Sequence, residues 1–329
     1  MVYYIGRYKG IEKKEYNIEV VTPMFLGGAE INKAELRVPS IKGMLRFWWR
    51  ATCGIEDIEE LYEKESELFG NTDIKSNVCL DITDCNLKIS KSIFSGKKYI
   101  AICKGRKLPP LDVLHYLAYG TLNKKGQGNI VHKEYIDVGS SFKLVLKCRK
   151  DIFGEVEKSL AYLINFGGLG AKSRNGFGSM YCEEVQQINK PLKSGNLKNY
   201  TSFSQYSRLI QFNPEQTWQD ALSNVGLVYR EGRLSLEKKH NFEKRGLVAK
   251  PIEAKGENVP DYIKDNRHAK VLFLHVRKLK NGNYQGQILF LPYNFKSFND
   301  TSESFHLFSE TLNRLCKKIE KKSGGNKWV

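Results

Sequence analysis

The stretch NFGGLGAKSRNGFGSM, residues 165–180, packs five glycines together with Lys172 and Arg174. It precedes the strand-like SMYCEEV and follows a helical stripe formed by Val156, Leu160, Leu163 and Ile164. The stretch therefore connects a predicted helix to a predicted strand. Glycines permit positive φ and close backbone approach, so successive amides of such a loop can surround the oxygens of an anion.

The elements before this loop predict the fold of the N-terminal half. Residues 15–20 alternate apolar and polar side chains as a half-buried strand does, and residues 41–53 and 55–69 have the period of helices. Residues 78–82 and 142–146 predict two further strands. With the helix and strand that flank the loop, the order is strand, helix, strand, strand, helix, strand. This order is typical of the split βαβ or ferredoxin-like arrangement.

Between the second and third of these strands, the sequence predicts an insertion. It contains the short helical pattern DVLHYLAYG and the basic NKKGQGN, residues 123–129, which we interpret as an exposed loop.

The polar, turn-rich KPLKSGNLKNYTSFS, residues 190–204, predicts a domain boundary. Beyond it, Thr217 can cap a helix, residues 236–265 resemble long loops, Asn281-Gly282 indicates a β-hairpin, and residues 305–319 have helical spacing. The predicted fold is α+β, with two ferredoxin-like (split βαβ, RRM-like) domains that carry insertions. The domains are expected at residues 1–190, with the glycine-rich loop, and at residues 191–329.

The charge of the chain favours a polyanionic partner. Lys and Arg number 53 against 36 Asp and Glu, which gives a net charge of +17. Such an excess is typical of nucleic-acid binding, although a merely solvated basic surface is the alternative.

The seven cysteines include no CxxC pair and no Cys/His set at zinc spacing, so we expect reduced thiols in a cytoplasmic protein. The sequence contains no signal peptide and no apolar run of about 20 residues, which predicts a soluble protein without membrane contact.

Two familiar phosphate motifs do not match the loop. A P-loop needs Gly-Lys-Ser/Thr, but Ala171 precedes Lys172, and a dinucleotide fingerprint opens a helix after a strand instead of closing one. ATP and NAD are therefore disfavoured, and no cofactor is expected. The loop can still hold phosphate oxygens through its backbone and Lys172, Ser173 and Arg174. The alternative is a tight helix-to-strand connection with incidental charge. The glycines in question are Gly167, Gly168, Gly170, Gly176 and Gly178.

A second feature is VPSIKGMLRFWWRA, residues 38–51, in which Lys42, Arg46 and Arg50 are spaced by four. On a helix they form one cationic stripe, whose mutual repulsion an anionic partner would remove. The alternative is that the aromatic residues anchor the helix in the core while the arginines are solvated.

These two motifs, with ELFGN at residues 67–71 between them, resemble the RAMP superfamily of CRISPR-Cas proteins. Within it the sequence is most similar to the first Cmr subunits of type III-B effector complexes. The motifs span roughly residues 16–182, and DNRHAKVLFLHVRKL, residues 265–279, is a weaker match to the C-terminal half of the family.

The resemblance implies two ferredoxin-like domains and a non-catalytic subunit that contacts guide and target RNA beside other Cmr subunits in antiviral defence. It also implies the RNA-binding residues, although the loop departs from the family at Asn175, where a basic residue is common. These residues are Lys42, Arg46, Arg50, Gly167, Gly168, Gly170, Lys172, Ser173, Arg174, Gly176, Phe177 and, less directly, Arg267.

Two other functions stay open at this point. A metal-independent endoribonuclease would use His132 or His115 as its base, with Lys133 or Tyr116 assisting. A free-standing single-stranded RNA-binding module would bind RNA without partner subunits. Metal-dependent catalysis is disfavoured, and no metal is expected, because Asp81 with Asp84 and His268 with His275 form no convergent ligand set. His275 is also expected to alternate outward along a strand.

Overall fold

The computed structural model describes residues 10–30, 32–100, 102–103, 106–107, 109–125, 128–237, 242–249, 268–294 and 302–329. The strands are β1 (Ile11–Val20), β2 (Cys79–Asn86), β3 (Ile89–Ser90), β4 (Lys98–Tyr99), β5 (Ile102–Cys103), β6 (Arg106–Lys107), β7 (Leu111–Asp112), β8 (Leu122–Lys125), β9 (Gly128–Val131), β10 (Tyr135–Ile136), β11 (Ser141–Arg149), β12 (Met180–Tyr181), β13 (Arg208–Glu215), β14 (Leu272–Lys278) and β15 (Tyr284–Phe290). The helices are α1 (Val38–Cys53), α2 (Ile58–Phe69), α3 (Val113–Leu117), α4 (Lys150–Phe166), α5 (Trp218–Leu234), α6 (Glu243–Val248) and α7 (Ser302–Lys322).

The N-terminal half is built on a four-stranded sheet in the order β12-β1-β11-β2, in which all neighbours are antiparallel. The apolar side chains of β1 are buried against α1 and α4, where Tyr16, Trp48 and Leu160 belong to one hydrophobic cluster. The apolar residues of the alternating stretch 15–20 therefore lie on the face of the sheet that the helices cover. The expected mixture of helices with antiparallel sheets is confirmed.

The C-terminal half contains a three-stranded antiparallel sheet in the order β13-β15-β14. Strands β14 and β15 form the predicted hairpin, and Gly282 adopts a φ of +85° in its turn. Thr217 caps α5 as expected, because its hydroxyl accepts a hydrogen bond from the Asp220 amide. Val329 exchanges two backbone hydrogen bonds with Leu209 of β13, at 2.8 and 3.0 Å.

Both hydrophobic clusters contain residues from each side of position 190. Phe203 and Phe273 pack in the cluster of Trp48, whereas Phe25 and Phe94 pack in the cluster that contains α5. The two sheets therefore share their cores. The boundary expected at residues 190–204 stays a prediction.

Two expectations for loops need correction. Residues 123–129 lie largely in the hairpin of β8 and β9, which pair from Leu122↔Val131 to Lys125↔Gly128. The many polar residues of that segment obscured the alternation of a strand. In the C-terminal half, α6 interrupts the segment that we interpreted as long loops, part of which lies outside the described residues. Within the described residues, no helix combines the length and apolarity that a membrane span requires.

The glycine-rich loop packs with its backbone directly against other backbone. A Cβ added at Gly178, where φ is +69°, would lie 2.0 Å from the Leu169 carbonyl oxygen. A Cβ at Gly170, where φ is +85°, would lie 2.4 Å from the Phe25 carbonyl oxygen. The glycines are therefore required by the fold of the loop itself.

We expect Gly178→Ala to lower the free energy of unfolding by about 2–4 kcal/mol, because it adds both a backbone clash and an unfavourable φ. Gly43→Ala is the matched control, since Gly43 lies in α1 with no atom within 4 Å of an added Cβ. That control should stabilise by up to about 1 kcal/mol. Urea unfolding measures both, and equal effects of the two substitutions would contradict this account of the loop.

Candidate nucleic-acid interface

The glycine-rich loop presents only its middle to solvent. Leu169 and Phe177 are fully buried, while residues 170–175 are exposed or half-buried. The flanks are held by backbone hydrogen bonds from the amides of Leu169 to Gly178 (3.0 Å), Ala171 to Phe25 (2.8 Å) and Gly178 to Pro23 (2.9 Å). A rigid frame thus carries a short surface segment that contains Lys172, Ser173 and Arg174.

Lys172 lies at the tip of this segment in the left-handed region, with a φ of 64°. Its carbonyl accepts the Asn175 amide at 2.7 Å, which closes a tight turn. For a residue with a side chain this conformation costs about 1–2 kcal/mol. Such strain persists where the surroundings impose it, often at functional sites. Among the described residues other than glycine, Asp84 alone shares a positive φ.

Arg174 is half-buried and attaches the loop to the C-terminal sheet. Its guanidinium lies 4.6 Å from the ring centre of Phe273 and 5.3 Å from that of Phe47. Nη1 donates a hydrogen bond to the Lys270 carbonyl at 2.7 Å. Burial lowers the pKa of Arg174 from its ordinary value. The residue therefore has a structural role in addition to its charge.

Lys270 is buried behind the loop, among other cations. Its ammonium donates to Asn175 Oδ1 at 2.5 Å and lies 4.5 Å from the ring centre of Tyr229. Burial, followed by the nearby charges of Arg174, Arg233 and Lys172, lowers the pKa of Lys270 well below its ordinary value. In the part of the chain that the structure describes, no carboxylate pairs with this ammonium. The loop accordingly lies in a region of concentrated positive charge.

Two of the three cations in the stripe of α1 pair with a single acid. Arg46 and Arg50 both donate to the carboxylate of Glu65 in α2, at 2.6 and 2.5 Å. Partial burial, together with the charge of Arg46, lowers the pKa of Lys42. Arg46 and Arg50 therefore join α1 to α2 while their side chains stay about one-third exposed, and an RNA contact by the stripe stays a prediction.

The stripe and the loop also do not form one surface. At about 100° per residue, Arg46 lies roughly opposite Met44 on α1. The face that meets the loop carries Met44, Phe47 and Trp48, which line a pocket with Ser173 and Arg174. The structure thus brings the loop together with the aromatic side of α1 and not with the stripe.

The remaining predicted residues serve the packing of the loop. A Cβ added at Gly167 would lie 2.5 Å from Trp48 Nε1, and one added at Gly168 would lie 2.7 Å from the Phe177 carbonyl oxygen. A Cβ added at Gly176 would lie 2.3 Å from Leu222 Cδ1. The ring of Phe177 is fully buried and lies 5.5 Å from those of Phe25 and Phe94. An RNA contact by this ring is therefore corrected to a core anchor. Arg267 lies outside the described residues.

A buried polar network supports the loop from below, and the sequence did not reveal it. His275 was expected to point outward from its strand, yet it is 1% exposed because β14 is covered on both faces. Its Nδ1 donates to the Gly167 carbonyl at 2.7 Å and lies 3.2 Å from Ser179 Oγ. Gln287 Nε2 donates to the Asn165 carbonyl. Strand β14 and its neighbour β15 thus fix the start of the loop.

The sequence model of the RAMP superfamily matches residues 17–181, from β1 to β12 and including the whole loop. This chain belongs to the RAMP superfamily. The family that the two basic motifs indicated is therefore confirmed.

Two curated relatives of this RAMP protein come from Pyrococcus furiosus. The CRISPR system Cmr subunit Cmr1-2 is 29% identical over 188 residues, which cover 53% of this chain and 96% of the relative. The subunit Cmr1-1 is 30% identical over 174 residues, which cover 51% and 46%. The predicted likeness to first Cmr subunits is confirmed.

Solved structures show the same fold over nearly the whole RAMP chain. The crystal structure of apo Cmr1 from P. furiosus has a TM-score of 0.56 at 21% identity and covers 92% of this chain and 96% of the other. A chain of the cryo-EM structure of type III-B Cmr-beta, bound to cognate target RNA and AMPPnP in the presence of ssDNA, has a TM-score of 0.50 at 14% identity and covers 93% and 99%. At these identities the likeness concerns the fold alone.

The histidines considered for catalysis or metal binding in this RAMP protein lie in different surroundings. His115 Nε2 lies 2.7 Å from the Phe94 carbonyl oxygen, in contact with the Phe94 ring. His132 is exposed, and its amide donates to Thr121 at 3.0 Å. His268 lies between Leu247 and Tyr293, with which its ring nitrogens share hydrogen bonds.

Asp84, one of the two carboxylates considered for a metal, pairs with Lys143 at 2.8 Å. The described ranges contain no group of three His, Cys, Asp or Glu that could hold a metal ion.

The pKa of His275 gives the stability of the RAMP fold a pH dependence. Burial lowers this pKa from 6.5 to about 3. Because the unfolded chain binds the proton first, stability should fall as the pH drops from about 6.5 toward 3, by about 2 kcal/mol between pH 7 and pH 5. We expect His275→Asn to remove this part of the fall. Urea unfolding at both pH values measures it. The exposed His132→Asn is the control, and an unchanged fall in His275→Asn would contradict the assignment.

Proposed function

We propose that this chain is a non-catalytic, RNA-binding subunit of a type III-B (Cmr) effector complex. Its family and its Cmr1 relatives support the assignment to such a complex. The proposed partners are guide RNA, target RNA and the other Cmr subunits. Target RNA is present in one of the solved complexes that share the fold.

The observation that carries RNA binding is the geometry of the loop. Lys172 stands on a frame that the glycines and the β14 network fix, and its charge acts on the buried Lys270 together with those of Arg174 and Arg233. A rigid cationic tip suits the phosphate backbone, whose recognition is independent of sequence. The net charge of +17 attracts the same partner.

Within the proposed site, Lys172, Ser173 and Arg174 contact the RNA, while the five glycines and Phe177 give the loop its shape. Lys42 and the two arginines of the stripe would form a separate, weaker contact, because Glu65 offsets part of their charge. Arg267 keeps its predicted role as an RNA contact.

We also propose that each sheet with its helices is a ferredoxin-like domain, residues 1–190 and 191–329. The sheet order β12-β1-β11-β2 supports the first, because it places the last and third strands beside the first. The order β13-β15-β14 supports the second, with Val329 paired to the free edge of β13.

The absence of catalysis is part of the proposal. The side chain of the exposed His132 forms no described hydrogen bond with Lys133 or another catalytic group, and the His115 ring is engaged with Phe94. Incubation of the purified protein with end-labelled single-stranded RNA should leave the RNA intact. Breakage that His132→Ala abolishes would support the endoribonuclease instead.

We expect Lys172→Gly to weaken RNA binding about tenfold, because one charged hydrogen bond to phosphate is lost. The loss should be equal across RNA sequences, and the slope of log affinity against log salt should decrease by about 0.7. Stability should change by less than about 1 kcal/mol, since glycine relieves the positive φ while adding freedom to the unfolded chain. Fluorescence anisotropy in a salt series and urea unfolding measure these effects.

Two substitutions serve as controls. Asp84→Gly repeats the change of a strained residue to glycine at a distant site, and Lys150→Ala removes one charge at the far end of α4. That helix has 17 residues, so its two ends lie roughly 25 Å apart. Neither should weaken RNA binding. An unchanged affinity and salt slope in Lys172→Gly would remove the loop from the interface.

A further inference from the structure

Lys270 lies directly behind the glycine-rich loop, and the proposed contacts to phosphate do not use it. The residue is 9% exposed, and its ammonium donates to Asn175 Oδ1 at 2.5 Å and lies 4.5 Å from the ring centre of Tyr229. The backbone amide of Asn175 donates in turn to the Lys172 carbonyl at 2.7 Å. A single side chain thus connects the buried ammonium to the turn at the tip of the loop.

Three further cations act on this ammonium. Arg174 is attached to the same segment, because its Nη1 donates to the Lys270 carbonyl at 2.7 Å. Arg233 belongs to α5, and the charges of Arg174, Arg233 and Lys172 all oppose a positive charge on Lys270. Elements far apart in the sequence therefore bring like charges together behind the loop.

The surroundings of Arg233 offset only part of its charge. Its Nη1 donates to the hydroxyl of Tyr116 at 3.1 Å, and its buried Nε has no hydrogen-bond partner among the described residues. The charge of Glu237 acts on Arg233, but that carboxylate also forms an ion pair with Arg245 at 2.9 Å. One carboxylate thus serves two arginines.

The other described titratable groups around Lys270 supply no negative charge at ordinary pH. Burial raises the pKa of Tyr229 above its ordinary value, and it raises the pKa of Tyr293 to about 12. The ring nitrogens of His268 share hydrogen bonds with the Leu247 carbonyl and the Tyr293 hydroxyl. In the described part of the chain, no carboxylate pairs with Lys270.

An ammonium in such surroundings loses its proton more readily than one in water. Burial, followed by the three like charges, lowers the pKa of Lys270 well below its ordinary value. A negative charge at the loop has the opposite effect, and it acts through space without entering the buried cluster. At the effective dielectric constant of a protein, a unit charge within about 10 Å changes a pKa by roughly one unit. A phosphate held by Lys172 therefore favours the charged form of Lys270.

We propose that Lys270 takes up a proton when RNA binds to the loop, so that RNA binding and protonation of this residue are coupled. The inference rests on the proposed function. It adds a positioning residue that contacts no RNA itself and acts through Asn175 and through the charges of the loop.

The direction of the pH dependence follows from these charges. Lys270 is protonated with and without RNA at low pH, and in neither state at high pH. Between these limits the free protein lacks the proton that the complex holds. The affinity for RNA should therefore fall as the pH rises through this window, by about tenfold if RNA raises the pKa by one unit.

Isothermal titration calorimetry detects the proton directly. A short single-stranded RNA is titrated into the protein from about pH 6 to about pH 9, in two buffers that differ in their enthalpy of ionisation. The ionic strength is held constant, because RNA affinity depends on salt. The difference between the two heats should show an uptake of roughly half a proton for each RNA bound at the centre of the window.

Lys270→Met removes the titrating group and keeps a side chain of similar length. This variant should lose the uptake and the tenfold fall in affinity. Lys198→Met is the matched control, since Lys198 is 6% exposed and its ammonium lies 5.8 Å from the ring centre of Tyr200. The exposed His132→Asn removes another group that titrates in this range. Both controls should retain the uptake.

RNA binding without proton uptake by the wild type, at all of these pH values, would overturn the proposal and leave the proposed function intact. Undiminished uptake by a folded Lys270→Met variant would overturn it as well. Absence of RNA binding at every pH would overturn both proposals.

An NMR measurement on the wild type covers the case in which Lys270→Met does not fold. In protein labelled with ¹³C at lysine Cε, one resonance should titrate at a lower pH than those of exposed lysines. RNA should raise the midpoint of that resonance by about one pH unit. A midpoint that RNA leaves unchanged would overturn the proposal.

Discussion

The close approach of backbone to backbone in the glycine-rich loop is the constraint on which the rest of the structure depends. The loop passes between α1, β14 and the segment around Phe25, where even one methyl group has no space at Gly170 or Gly178. Polar groups that this approach buries must find partners, and His275 and Gln287 supply them from the C-terminal sheet. The loop can therefore keep its shape only while both sheets are in place.

Positive charge accumulates at the same point, and its stabilisation is unusual. Arg174 lies over aromatic rings and Lys270 donates to an amide, so both side chains are held without a described carboxylate partner. Arg46 and Arg50, in contrast, do have a carboxylate partner, because both form ion pairs with Glu65. Glu65 offsets one of the two arginine charges in α1, whereas the charge of Arg174 has no carboxylate partner among the described residues. The two motifs are thus both basic in sequence but electrostatically different.

Sequence patterns predicted most of the helices and the strands β1, β2, β11, β12, β14 and β15, because half-buried elements repeat their apolar residues at a fixed interval. They missed β13 and the short strands of the insertion. They also could not predict the partners of charged residues: nothing in the sequence connects Glu65 to Arg46 or His275 to Gly167. Strand alternation was misleading at His275, since β14 is covered on both faces. The motif pattern indicated the family of the loop correctly, but it implied an RNA-binding role for Phe177, whose ring is fully buried. A residue required by the shape of a loop and one required by its ligand look alike in a sequence.

The Leu274 amide donates a hydrogen bond to the Arg174 carbonyl at 3.2 Å, which joins the loop to β14 in the manner of an additional strand at the edge of the C-terminal sheet. Asn175 and Leu274 form a parallel bridge at this point. The tip of the loop is therefore attached to both sheets and cannot move independently of either one. In the proposed function, the RNA and not the loop would therefore change its conformation on binding.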